Sequence, residues 1–257
     1  PILGTRETVK GLDRAALTAY MGTHYTAANT VIAVAGNFQE EDLLALLEAA
    51  FGSLVTGGEH QLPPEYLPTD GSIAIDRRDI AQVHVALALP GLPMEHPRQY
   101  DLFILNAAFG GSMSSRLFQT IREQHGLAYS VFSYPSFYRN TGSFSVYLGT
   151  SPDQAMQALE LVAGEFKRLL TQGVTTEEFE RCRRQLRGNY ILGQESTSSR
   201  MMALGHVQTP DEILAKMDAA SVAVAMDTVR ELFDMNKLSI AMVGAAPDAA
   251  DVQALFA

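Results

Sequence analysis

Gly110 to Tyr134 reads GGSMSSRLFQTIREQHGLAYSVFSY, and its punctuation runs loop, helix, stop, strand. Gly110 and Gly111 permit backbone conformations closed to other residues, and Ser112 or Ser114 is placed to accept the free N–H groups of a following helix. Leu117, Phe118 and Ile121 recur at helical spacing, with Arg116, Gln119, Thr120 and Glu123 on the wetter side, so an amphipathic helix of about three turns is expected. Gly126 suits the left-handed position just past a helix end. After it the residues alternate, which predicts a strand carrying Tyr129, Val131 and Ser133 on one face. A helix is thus expected to feed directly into a sheet.

Either side of this stretch the chain alternates helical and strand patterns. Asp13 is an N-cap for a helix with Leu17, Tyr20 and Met21 on one face. Thr30 to Gly36, TVIAVAG, is an apolar, β-branched run that predicts a buried strand, and Glu40, Glu41 and Asp42 open another helix with charge that suits its positive end. Ser221, the run Ser239 to Gly244, and Pro247 with Asp248 repeat that order of helix, strand and helix. The two stretches superpose without a gap at an offset of 208 residues, which pairs Gly36 with Gly244, Ile32 with Ile240 and the cap Asp13 with the cap Ser221. Both are therefore read as the closing unit of a duplicated domain.

Between the copies, Gly57 to Gly71 gathers prolines, glycines and polar residues, as an extended linker does. SIAID and QVHVALALP then read as adjacent strands, and Pro97 starts a helix with Tyr100, Phe103, Ile104 and Ala107 on one face. Phe132 to Tyr138 and Gly142 to Leu148 form a hairpin around Arg139, Asn140 and Thr141. Ser151 and Pro152 open a helix with a stripe of Met156, Leu159, Ala163, Phe166 and Leu170, ended by Gly173. Thr175 and Glu178 make a capping box for the next, whose Phe179, Cys182, Leu186 and Tyr190 point inward. Its arginines 181, 183, 184 and 187, with Glu177, Glu178 and Glu180, read as a solvated, ion-paired face. Two helical stretches, 196–205 and 210–217, lead to the repeated unit. The fold class expected is α+β, an antiparallel sheet with helices packed on one face. Residues 1–56 are read as the end of a first domain, 57–70 as linker and 71–257 as a complete second domain.

Composition narrows the function. An apolar share of 47% supports a core, and a net charge of −10 argues against a nucleic-acid partner. The single Cys182 excludes an internal disulfide and any multi-cysteine metal cluster, and is read as a packed thiol. No apolar run approaches the roughly 20 residues of a membrane span, so no membrane partner is expected. The chain begins at Pro1, from which processing or truncation upstream is expected; compartment and localisation are not given by these residues.

The glycine turn followed by MSSRLFQTIREQHGLAYSV resembles the signature segment in the second homologous domain of the pitrilysin or insulinase family of zinc metallopeptidases, which includes the mitochondrial processing peptidase. The resemblance implies a metallopeptidase-like α/β roll. It also implies an arginine and a tyrosine, seven positions apart, that reach the zinc site from the opposite domain and hold the peptide; Arg122 and Tyr129 match them. Independently of family, an arginine offers a fixed fork of donors to peptide carbonyls, and a phenol can donate to an oxygen gaining charge. Taken singly, Arg122 reads rather as an exposed helix position and Tyr129 as a packed sheet residue, and it is the shared segment that favours the clamp. Phe109, Gly110, Gly111 and Ser112 read either as a tight connection or as a peptide-facing loop.

The family's zinc site is HxxEH on a helix with a further glutamate downstream. None of His24, His60, His84, His96, His125 and His206 has a partner at that spacing, and the nearest match, LPMEH from Leu92 to His96, lacks the first ligand and carries a helix-breaking Pro93. Glu95 and His96 are read as loop, and no catalytic zinc is expected on this chain. His24, Tyr25 and Asn29 read as turn and cap residues, and His206 as structural. The expected role is the peptide-gripping C-terminal portion of a zinc metallopeptidase, inactive alone because metal and base lie in an N-terminal half or a homologous subunit. Two alternatives stay open: a non-catalytic partner subunit of a two-chain processing peptidase, and a scaffold protein of the same fold. A homodimer is compatible with any of them.

Overall fold

Local capping signals set where helices start, and the shorter part of the chain shows how far they act without a sheet. The computed structural model describes residues 2–57, 70–205 and 208–257. The chain divides into two compact units, Pro1–Leu62 with Leu192–Thr209, and Pro63–Ile191 with Pro210–Ala257. The stretch 192–209, expected in the second domain, thus groups with the first. Of the expected linker, residues 58–69 lie outside those described, as do His60 and His206.

The smaller unit carries α1 (Arg6–Lys10), α2 (Arg14–His24) and α3 (Glu40–Phe51). Asp13 caps α2, its Oδ1 accepting the N–H of Ala16 at 2.7 Å. The expected strand at Thr30 to Gly36 does not form. Among the described residues no segment pairs with it, and Val31 is 81% exposed. A β-branched run becomes a strand only when a neighbour takes up its N–H and C=O groups. Leu17, Tyr20 and Met21, expected to share one helical face, are likewise exposed.

The larger unit contains β1 (Ile73–Asp76), β2 (Val83–Pro90), α4 (Gln99–Phe109), a π-helix (Phe118–Gln124), β3 (Ala128–Phe137), β4 (Gly142–Thr150), α5 (Ala155–Gln172) and α6 (Thr176–Gly193). α7 (Thr197–Leu204) belongs to the smaller unit, and α8 (Pro210–Ala219), α9 (Val222–Leu232), β5 (Ser239–Val243) and α10 (Ala249–Leu255) complete the larger one. The sheet order is β1-β5-β2-β4-β3. β1 and β2 are not neighbours as expected, because β5 enters between them, parallel to β1 and antiparallel to β2, with Ile240 opposite both Ile73 and Leu87. The other pairings are antiparallel.

Strand alternation makes one face of this sheet apolar. Val83, Val85, Leu87 and Leu89 of β2, Phe144, Val146 and Leu148 of β4, and Ile240 and Met242 of β5 are buried against α4, α5 and α9. The buried stripes differ in detail from the expected ones. α4 buries Leu102, Ile104, Leu105 and Phe109 while Phe103 is exposed, and α5 buries Ala158, Val162 and Leu169 alongside Leu159 and Phe166.

The internal repeat is visible in the backbone. Shifted by 208 residues, α2 falls on α9 end for end, and the 3₁₀ turn Ala27–Asn29 falls on Met235–Lys237. Asp13 and Ser221 each cap by accepting the N–H three residues on. Gly36 and Gly244 both have positive φ, 156° and 118°. What differs is the strand, since β5 has partners on both sides and Thr30 to Gly36 has none among the described residues.

α6 opens on the expected capping box, with the Glu178 N–H reaching Thr175 Oγ1 at 3.1 Å and the Thr175 N–H reaching Glu178 Oε2 at 2.9 Å. Arg183 pairs with Glu180 along the same helix, and Arg187 with Asp218 of the segment 210–219. Glu178 itself turns to Arg116, whose Nε and Nη2 donate to Oε1 and Oε2 at 3.1 and 2.8 Å. That two-pronged bond, more than the backbone N–H, holds the Glu178 carboxyl down to about 2 from its ordinary 4.5. A depressed carboxylate contributes in full above its unfolded value and is lost as pH falls through the folded one. Between pH 5 and pH 2 the wild type is expected to lose on the order of 2 kcal/mol more unfolding free energy than Glu178→Gln, read from urea melts across that range.

Candidate functional site

The Gly110 to Tyr134 stretch builds a cleft along the outer edge of β3. Gly110 and Gly111 are needed for close approach, not for unusual dihedrals, since neither has a positive φ. A Cβ on Gly110 would lie 2.7 Å from the Ser133 backbone nitrogen, and one on Gly111 would lie 2.5 Å from Asn106 Nδ2. The Ser133 N–H donates to the Gly110 carbonyl at 3.1 Å, and Ser133 Oγ donates to Asn106 Oδ1 at 2.6 Å. The glycine loop is thereby tied to the sheet edge. The serines do not cap the helix as expected. Ser112 Oγ donates back to the Ala107 carbonyl at 2.9 Å, and the helix starts on backbone bonds, the Gln119 N–H reaching the Ser115 carbonyl.

The helix itself is shorter than three turns and mostly wound as a π-helix, whose i→i+5 bonding widens the turn. This places Phe118 and Arg122 side by side, with the guanidinium carbon 4.8 Å from the ring centre. Gly126, at φ 64°, reverses the chain as expected. β3 then begins on a bulge: Ala128 pairs with Thr150 and Ser130 with Gly149, leaving Tyr129 as the extra residue. Tyr129 is therefore not on the Val131 and Ser133 face. Those two are buried, while Tyr129 is 77% exposed, because one inserted residue re-aims the side chain that precedes it.

The result brings Arg122 and Tyr129 together. Arg122 Nη1 donates to the Tyr129 carbonyl at 2.9 Å, and its guanidinium lies 4.6 Å from the Tyr129 ring centre. The cation is sandwiched between two aromatic faces, an arrangement that fixes the fork and leaves its remaining edge N–H groups for a ligand. Glu123 lies 3.7 Å from Arg122 Nε. Gly110, Gly111, Ser112, Met113, Phe118 and the β3 backbone line the cleft with this pair, around about 370 Å³.

Phe109 does not face it. That ring is fully buried and packs on Phe166 and Phe144 at 5.0 and 6.0 Å between centres, so its expected place in a peptide-facing loop is corrected to the core. The sequence places Phe118 on the apolar side of the helix and does not mark it for the site, although its spacing of four from Arg122 carries the signal. Glu95 sits in a loop at φ 64°, and Leu92 is buried in the core. Cys182 is buried and free, with burial pushing its thiol up.

Residues 11–186 match the family described as the peptidase M16 inactive domain. The chain is 37% identical over 242 residues to an uncharacterised zinc protease, YmxG, of Bacillus subtilis, covering 91% of this chain and 58% of that protein. Its fold is similar to the crystal structure of a peptidase M16 inactive domain from Pseudomonas fluorescens, at a TM-score of 0.83 and 24% identity over 96% of this chain and 60% of the other. It is also similar to a chain of complex III2 from Candida albicans, at a TM-score of 0.84 and 20% identity, covering 100% of this chain and 65% of that one. At those identities the two structures speak to the fold alone. The chain spans a little over half the length of the curated relatives it matches.

Proposed function

The chain belongs to the M16 peptidase family, and from that premise we propose that it is the substrate-gripping portion of a zinc-dependent metallopeptidase acting on peptides or small unfolded proteins. The observation that carries this is the sandwiched Arg122 beside the exposed Tyr129 phenol at the mouth of a cleft. A guanidinium whose faces are already packed presents only its edge, which suits a peptide carbonyl or carboxylate. A phenol with its ring held by that cation is ready to donate to an oxygen that gains charge during attack.

Zinc supplies an activated water in such enzymes. Among the described residues no three His, Cys, Asp or Glu side chains cluster to hold a metal ion, so the described residues do not fit a zinc site. What this chain contributes, in the proposal, is binding and orientation of the peptide. The metal and the base would come from a domain of the longer parent or from a homologous subunit. Residues 1–56 fit the closing unit of such a domain, because they repeat the α9, β5 and α10 unit while their strand segment stands unpaired among the described residues. None of the described helices is long and apolar enough to cross a membrane.

The likeness to a chain of complex III2 favours a scaffold as the second reading. Peptide cleavage by the full-length protein separates the two. In the gripping role, Arg122→Ala and Tyr129→Phe each lower kcat/KM by about 10²-fold, the scale for losing one donor to a developing charge. Unchanged turnover in both variants refutes the assigned roles, and a wild type that binds no peptide favours the scaffold.

A further inference from the structure

β3 is the terminal strand of the sheet, and part of its outer edge is taken up by the protein itself. The Tyr129 carbonyl is taken by Arg122 and the Ser133 N–H by the Gly110 carbonyl, while Pro135 has no N–H to offer. In an antiparallel pair each residue points its N–H and C=O to the same side, and sides alternate along the strand. Past the bulge the register is continuous, Val131 opposite Leu148 and Ser133 opposite Val146. Because the Ser133 N–H points outward to Gly110, both backbone groups of Val131 point outward too. Val131 lines the cleft, its side chain is buried, and among the described residues no loop backbone bonds to it.

We infer that the cleft accepts one extended residue of a peptide, which exchanges both of its backbone hydrogen bonds with Val131 as an isolated β-bridge. Arg122 and Tyr129 then lie beside the neighbouring peptide unit. The reading rests on the gripping role proposed above, and it adds the device that fixes peptide direction and register. Since the Tyr129 carbonyl and the Ser133 N–H are already used and Pro135 has no N–H, the bridge cannot lengthen into a regular ladder. It recognises backbone, so side-chain selectivity falls to the rim residues Met113, Phe118 and Phe132.

Amide hydrogen exchange on the ¹⁵N-labelled chain tests it, with a fluorescein-labelled unstructured peptide of about ten alanine, leucine and serine residues as probe and anisotropy to follow binding. In the free chain the Val131 amide is expected to exchange at least about 10-fold faster than those of Phe132 and Tyr134, and to slow by about 10-fold or more at saturating peptide. Binding without protection of Val131 overturns the bridge and leaves the gripping role standing. Protection of Val131 with affinity unchanged in Arg122→Ala supports the bridge and overturns the arginine's role. Absence of binding overturns both.

Discussion

Replacing Gly142 by alanine is expected to lower the unfolding free energy of the larger unit by roughly 3 kcal/mol, the upper end for forced overpacking. The first residue of β4 passes so close to the end of the β2 segment that an added Cβ would lie 1.9 Å from the Leu92 carbonyl oxygen and 2.7 Å from its carbon. The Gly91 N–H donates to the Gly142 carbonyl at 2.9 Å, and a Cβ on Gly91 would in turn meet the Ser143 backbone at 2.7 Å. Backbone atoms cannot rotate away as a flexible side chain can, so the clash must be relieved by parting the two strands. A lower urea midpoint with an unchanged slope is the expected reading. Gly164→Ala is the control: nothing lies within 4 Å of its added Cβ in the middle of α5, and alanine there is expected to stabilise by about 0.5–1 kcal/mol. Equal behaviour of the two variants would refute the close approach at Gly142.

Truncating Phe109 to alanine is expected to cost about 4 kcal/mol, within the range for emptying a buried phenylalanine site. Its ring joins a cluster in which Phe144 and Phe233 lie 4.8 Å apart and Phe166 and Phe233 5.7 Å apart, so α4, β4, α5 and the end of α9 all lose contact at once. Phe109→Leu keeps most of the volume and is expected to fold, at a cost of about 1 kcal/mol. Its peptide affinity is then expected to match the wild type, because the residue lies behind the cleft and not in it. A leucine variant that folds normally but loses peptide would return Phe109 to the binding surface.

The parts of this fold that were legible in the sequence are those decided within a few residues. Asp13, Ser221 and the Thr175 with Glu178 box each start a helix where the residue types say, and Gly126 and Gly173 stop the chain at φ 64° and 69°. The hairpin of β3 and β4 was equally local. What the sequence left unsettled depends on distant partners or on one extra residue. The insertion of β5 between β1 and β2 joins segments more than 150 positions apart, and no periodicity in either strand records it.

At the site, Arg122 and Tyr129 could be named from their segment, but not why they meet. Their contact arises from a π-wound helix and a bulge, and neither has a residue pattern of its own. Phe109 was misplaced because a glycine pair marks a loop without marking where the preceding helix ends. The apolar run Thr30 to Gly36 shows the converse: strand propensity without a neighbour yields no strand.

The closed edge of β3 carries a consequence for solubility. A terminal strand with a free row of N–H and C=O groups is a template on which further chains stack, and fibrils grow by that addition. Here Arg122, the Gly110 carbonyl and Pro135 interrupt the row so that the gap at Val131 is too short to seed a stacked sheet. At the opposite end, β1 is four residues long and ends on Asp76, a short edge with a charge. In the gripping role proposed above, the domain thus admits one extended residue while refusing to become the first layer of an aggregate.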